Sequence, residues 1–219
     1  GQIIAATHKV PLADIFSFVL QGKEWINHEW LFQFGAHLFY QQGGADALIF
    51  MQNMVALALF LVVFFARLRK ENHLFVFSIL YLALLTVAYR FTIRPDIFSL
   101  LFLAIDLVLI ASFLDSGHRA IWCLPILQCL WTNMHGFAFA GPLILLLVLV
   151  ADVVKKIGPW SAVRKNAALD PSRVRQLILL ILLMFLASFV NPQGLKGAAY
   201  PFSVLGQISG KGRIFFDYI

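Results

Sequence analysis

The sequence predicts an all-α protein built as a polytopic transmembrane helical bundle, and three observations predict it. Hydrophobic residues make up 61% of the 219 residues and charged residues 13%, with a mean hydropathy of +0.84, far from the mix of a water-soluble domain. Several apolar runs approach the roughly 20 residues needed to cross a hydrocarbon core. Backbone groups in lipid must be paired within their own segment, so such runs are helices. The formal charge of +6 does not point to nucleic acid, because the basic residues fall in short clusters between apolar runs, the pattern of cytoplasmic anchors. Cys123 and Cys129 share one apolar run; a helix sets them too far apart along its axis for a disulfide, and they read as small core residues.

Residues 1–27 hold Pro11, Gly22 and mixed polar side chains and read as a loop outside the membrane. From His28 to Gln42, the residues Glu29, Gln33, His37 and Gln41 recur every four positions among Trp, Leu and Phe, which predicts a helix with one narrow polar stripe. Such a helix is expected to lie in the interface with Trp30 and Tyr40 at headgroup level, and Gly43 and Gly44 end it. Residues 1–43 therefore form an outer-face unit. Residues 44–195 form the bundle, with six expected spans at 47–66, 73–89, 96–114, 119–134, 138–154 and 176–190. Residues 196–219 are expected to be an outer-face tail. The chain opens on Gly1 rather than Met and is expected to be a piece of something longer.

Orientation follows from the basic residues. Arg67, Arg69, Lys70, Arg119, Lys155, Lys156, Arg164, Lys165, Arg173 and Arg175 fall in loops after the first, third and fifth spans, which places those loops in the cytoplasm. The opposite face carries the opening loop, the links near Arg90–Asp96 and Asn133–Gly136, and the tail.

That outer face gathers the polar groups. Arg90 and Arg94 lie one turn apart just before Pro95 and Asp96; paired guanidinium groups suit a phosphate, although they serve equally as interfacial anchors clamped to Asp96. Asn133 and His135 stand between two apolar runs, where they either contact a polar ligand or cap a helix and pair with a neighbour. Asp14 and Glu29 are the outer acids to weigh as general bases, against roles as a turn residue and a first-turn charge. Asp106 falls in the middle of the third span, where a charge is costly; it is expected to stay protonated and bond a neighbouring helix. The sequence has no glycine-rich phosphate loop and no Cys or His set with metal spacing.

The runs Gly1-Gln2-Ile3-Ile4, Val10 to Ser17 and Gly22 to Leu31 resemble the first outer loop of bacterial multi-spanning proteins related to the GT-C class of glycosyltransferases. Arg90 to Asp96, Trp131 to Gly136 and Asn191 to Gly194 resemble further outer-rim motifs of that group, so that the resemblance covers most of the chain to about residue 195. It implies a GT-C-like bundle in a bacterial inner membrane, with its site on the periplasmic side, that transfers sugar from a polyprenyl-phosphate donor to an acceptor. It makes Asp14 and Glu29 candidate catalytic acids, Arg90 and Arg94 candidate phosphate contacts, and His28, Asn133 and His135 candidate polar contacts, and Asp96 beside the arginines is a further candidate for substrate binding. It leaves a divalent metal, Mg²⁺ or Mn²⁺, open. In those relatives a helix with an acidic motif at its outer end precedes the part where this chain begins. The alternative is a non-catalytic accessory subunit of a larger membrane complex. The expected partners are the bilayer, a polyprenyl-linked sugar and other membrane subunits, with no nucleic acid.

Overall fold

The computed structural model describes residues 1–67, 73–87, 92–157 and 168–209. Among these, the secondary structure is helical apart from an isolated antiparallel bridge between Ala13 and Glu24. A short α1 (Gln2–Thr7) buries Ile4 and packs on the start of α2 (Trp30–Arg67). The 38 residues of α2 are two arms, because Gly43 and Gly44 both leave helical geometry. Gly44 has φ +61° and ψ −142°, a combination open to glycine and hardly to any residue with a Cβ. The boundary expected at residue 43 is thus a break in an otherwise continuous helical run. The first arm, 30–42, lies by the site described below. The second, 45–67, is mostly unburied and packs on α3 (His73–Val87) through Phe60 and Phe64 against Phe77.

The bundle proper is α4 (Asp96–Ser116), α5 (Leu124–Met134), α6 (Ala140–Ile157) and α7 (Pro171–Ala187), with 3₁₀ turns at Arg119–Cys123 and Gly136–Phe139 leading into α5 and α6. Helix α4 buries Ser99, Phe102, Asp106, Ile110 and Phe113, the three- and four-residue spacing of one helix face. It ends where Gly117 turns left-handed and donates its N–H to Phe113 O, a common helix terminus. Helix α7 starts at residue 171, earlier than its expected span, because the Asp170 carboxylate accepts from the N–H groups of Ser172 and Arg173 and Pro171 opens the first turn; both are strong start signals. The last helix, α8 (Leu195–Ser209), occupies part of the expected tail and contains Pro201.

Ile110, Phe113, Ile121, Leu124, Leu145, Leu177, Leu180 and Met184 form one apolar core at one end of the bundle. Phe102, Trp131, Ala138 and Ala140 form a second toward the other end. Three stretches among the described residues are long and apolar enough to cross a membrane: Trp30–Ala66, Asp96–Ser116 and Gly136–Ile157. At 1.5 Å per residue, α5 and α7 are each shorter than a hydrocarbon core of about 30 Å, as are the described residues of α3.

The two ends of the bundle differ in chemistry. At one, Arg173 Nη1 donates to Leu114 O at 2.7 Å, and Asp152 accepts from Leu169 N while pairing with Lys156. At the other, the start of α4, the end of α5 and the first turns of α8 meet the segment that leads into α2.

Candidate functional site

This second end is assembled from short segments that the chain brings together over long separations. Trp30, expected at headgroup level, instead turns its indole N–H inward to Asn133 Oδ1 at 2.6 Å. The Asn133 amide donates to Cys129 O and Val190 O, both at 2.7 Å, so one side chain ties α2, α5 and the segment after α7 together. Gln193 Nε2 donates to Trp25 O at 2.8 Å, and Lys196 pairs with Glu24, which fastens the opening loop to the same place.

His28 stacks on Tyr200 with ring centroids 4.2 Å apart. Gly136 permits that placement, since a Cβ there would stand 3.3 Å from His28 Cδ2. The Glu29 carboxylate lies 3.5 Å from His28 Nε2, and His28 Nδ1 lies 3.3 Å from Ile26 O. On the other side, Trp131 Nε1 donates to Ser99 Oγ at 2.8 Å, and Ser99 Oγ lies 2.7 Å from His135 Nδ1. An indole nitrogen only donates, so Ser99 accepts from Trp131, while its own hydroxyl hydrogen remains free to be donated to His135 Nδ1. In the tautomer where Ser99 donates to Nδ1, the His135 hydrogen is on Nε2 and the ring is a neutral N–H donor.

Electrostatics joins the two halves. Burial holds His135 below its ordinary value; the Glu29 and Asp96 charges oppose that shift and the His28 charge adds to it. Burial also raises Tyr200, with Glu29 adding to the rise. Asp96 Oδ1 is buried without a hydrogen-bond partner.

Of the residues singled out from the sequence, the structure gathers His28, Glu29, Asp96, Asn133 and His135 at this end. Asn133 spends its amide on protein groups. Asp14 is elsewhere in its bonding: Oδ1 accepts from the N–H groups of Phe16 at 2.9 Å and Ser17 at 2.8 Å, a local turn closed by a carboxylate. Arg94 is exposed in the link before α4, and Arg90 lies outside the described residues. Trp131, at the head of the 131–136 motif, completes the site with Ser99 and Tyr200, which an apolar sequence context hid, although Ser99 one turn into α4 is a polar group in an otherwise apolar run.

A cavity of about 120 Å³ opens beside the cluster. His28, His135 and Gly136 form part of its rim, Phe139, Phe185, Pro201 and Phe202 its apolar walls, and Gln128, Thr132 and Ser188 its polar floor. Among the described residues, no group of three or more His, Cys, Asp or Glu side chains is placed to hold a metal ion. No family model matches this chain, nor does any curated protein or solved structure. The chemistry of the site therefore has to come from its own geometry. A carboxylate beside an imidazole, a neutral N–H donor and an aromatic-walled cavity together can take a proton, steady a developing anion and seat an apolar chain.

Proposed function

We propose that this is a membrane-embedded, GT-C-like glycosyltransferase that moves a sugar from a polyprenyl-phosphate donor to an acceptor hydroxyl on the outer, periplasmic face of a bacterial inner membrane. The observation that supports it is the pairing of Glu29–His28 and the His135 N–H with an aromatic-walled cavity at the end of the bundle away from Lys156 and Arg173. Glu29 takes the proton of the acceptor hydroxyl. The acceptor oxygen then bonds to the anomeric carbon, and the bond from that carbon to the phosphate oxygen breaks. The polyprenyl phosphate leaves with the electron pair, its charge met by the His135 N–H and by the guanidinium of Arg94, with Arg90 the further candidate. The Phe139, Phe185 and Phe202 walls take the first isoprene units. Of the two outer acids, Glu29 carries the chemistry and Asp14 holds a turn.

The test is sugar transfer from a polyprenyl-phosphate donor by the protein in proteoliposomes. Glu29→Gln should lower the rate by about 10²-fold or more, the usual contribution of a general base, while Asp14→Asn leaves it within a few-fold. The reverse order, or an unchanged rate in Glu29→Gln, would overturn the assignment.

A second reading, an accessory subunit of a membrane complex, is favoured by the exposed apolar face of 45–67 and α3, including Phe50, Phe65, Leu74 and Phe75. Recovery of a stoichiometric membrane partner after mild solubilisation, with function intact in Glu29→Gln, would establish it instead.

A further inference from the structure

A second polar cluster lies in the middle of the bundle, away from the rim. Asp106 of α4 and Gln128 of α5 are each only 1% exposed. Oxygens of both side chains border the same small space beside Gly141 of α6, where a Cβ would stand 2.7 Å from Gln128 Oε1 and 3.0 Å from Asp106 Oδ2. Neither Asp106 oxygen has a hydrogen-bond partner, and neither has Gln128 Oε1. None of the ion pairs among the described residues includes Asp106.

The orientation of the Gln128 amide follows from its other end. Its Nε2 lies 3.1 Å from Ala138 O, 2.9 Å from Ser188 Oγ and 3.3 Å from Thr132 Oγ1. The two hydroxyls would tolerate either amide atom, but a backbone carbonyl only accepts, so the amide nitrogen must face Ala138. Oε1 is then the amide atom left beside Gly141, the space it shares with Asp106 Oδ2. Two acceptors facing one another in a dry interior repel, and each loses the full value of a hydrogen bond. One proton between them removes both penalties.

We infer that Asp106 and Gln128 form a buried proton-binding site, with Asp106 as the neutral acid donating its O–H to Gln128 Oε1. A hard metal cation is the other way to bridge the oxygens, but such ions take about six oxygen ligands, and this cluster offers three unpartnered ones. Gln128 also contributes to the floor of the cavity with Thr132, Ala138 and Ser188. The proton on Asp106 therefore holds the amide so that its N–H groups are committed to those floor residues. Without it, the amide gains by turning its nitrogen to the carboxylate, which frees Ala138 O and puts a different atom against Ser188. The inference is independent of what the cavity binds.

Infrared difference spectroscopy reads the proton directly. Wild-type protein in detergent at neutral pH should show the carbonyl stretch of a protonated carboxylic acid, and that band should be missing from Asp106→Asn. The Asn amide keeps a donor toward Gln128 Oε1, so Asp106→Asn should melt close to wild type, whereas Asp106→Ala should melt about 5 °C lower or more for the loss of a buried partner. A spectrum without the acid band overturns the inference, as does an Asp106→Asn protein that melts with Asp106→Ala. So does a rise in melting temperature specific to sodium over choline that is lost in Asp106→Asn, since it would mean an ionised carboxylate holding a metal cation. The infrared and sodium measurements need only the wild type and Asp106→Asn, so they decide the matter even where Asp106→Ala does not fold.

Discussion

Asn133 was open between ligand contact and structural brace on the sequence, and its geometry turns that choice into a measurement. Asn133→Ala deletes three hydrogen bonds, those to Trp30 Nε1, Cys129 O and Val190 O. Cys129 O remains in the backbone ladder of α5 and loses only a second partner. The net loss falls on the Trp30 N–H and Val190 O, each worth about 1 kcal/mol and more where water does not replace the amide, which gives about 2–3 kcal/mol. For a chain of this size, 1 kcal/mol moves Tm by about 2–4 °C, so the expected fall is about 5–10 °C, followed by far-ultraviolet circular dichroism in detergent. Trp30→Phe removes the indole donor alone and should cost about 1 kcal/mol; combined with Asn133→Ala it should add little, because the two changes delete the same bond. An Asn133→Ala protein that melts within about 2 °C of wild type while losing activity would refute the brace, and additive effects of the two substitutions would refute the bond.

Gly141→Ala should lower Tm by about 5 °C in the same assay. Its Cβ would lie 2.7 Å from Gln128 Oε1 and 2.9 Å from Met184 Cε, an overpacking of about 1–3 kcal/mol, and a Tm equal to wild type would show that the Gln128 amide is free to move. His135 makes stability depend on pH. Burial keeps it below the ordinary 6.5, so the unfolded chain binds the proton more readily than the folded one; its contribution is complete above about pH 6.5 and is lost as the pH falls toward the lower folded value. Wild type should lose more Tm than His135→Gln between about pH 7.5 and 5.5, and equal losses would contradict the assignment. Arg173→Ala should cost about 1.5–2 kcal/mol, because Arg173 donates a charged hydrogen bond to Leu114 O near the end of α4 and lies 5.8 Å from the Phe113 ring centroid. Arg173→Lys should recover only part of that in denaturant unfolding, and full recovery would mean that charge alone matters.

What the sequence made legible is what depends on neighbours along the chain. The two glycines at 43 and 44 were readable as a helix break because no compensating contact is needed to make them one. The helical runs at 96–114 and 138–154 were readable from length and apolarity. His28, Glu29 and His135 stood out as polar groups at the ends of apolar runs, and the fold brings them to one end. Asp14 looked like a candidate base because a carboxylate in an outer loop carries no mark of its partners; its bonds to Phe16 and Ser17 are local, and a turn was the nearer explanation. Tyr200 and Ser99 were invisible because their importance lies in contacts with His28 and His135, across 172 and 36 residues of sequence. Gln128 was missed for the same reason, although a glutamine inside an apolar run has the same need for a partner that singled out Asp106.

The joint at Gly43 and Gly44 also isolates one part of the molecule from the other mechanically. The ladder of backbone hydrogen bonds is cut there, so a torque on 45–67 is not carried rigidly into 30–42. The second arm is about 34 Å long at 1.5 Å per residue, and a helix of that length answers a thicker or thinner bilayer by changing its tilt. The first arm is pinned by Trp30 on Asn133 and by Gln33 on Asn27. A change of tilt in 45–67 can thus be taken up at the two glycines rather than passed rigidly to the arm beside His28 and Glu29.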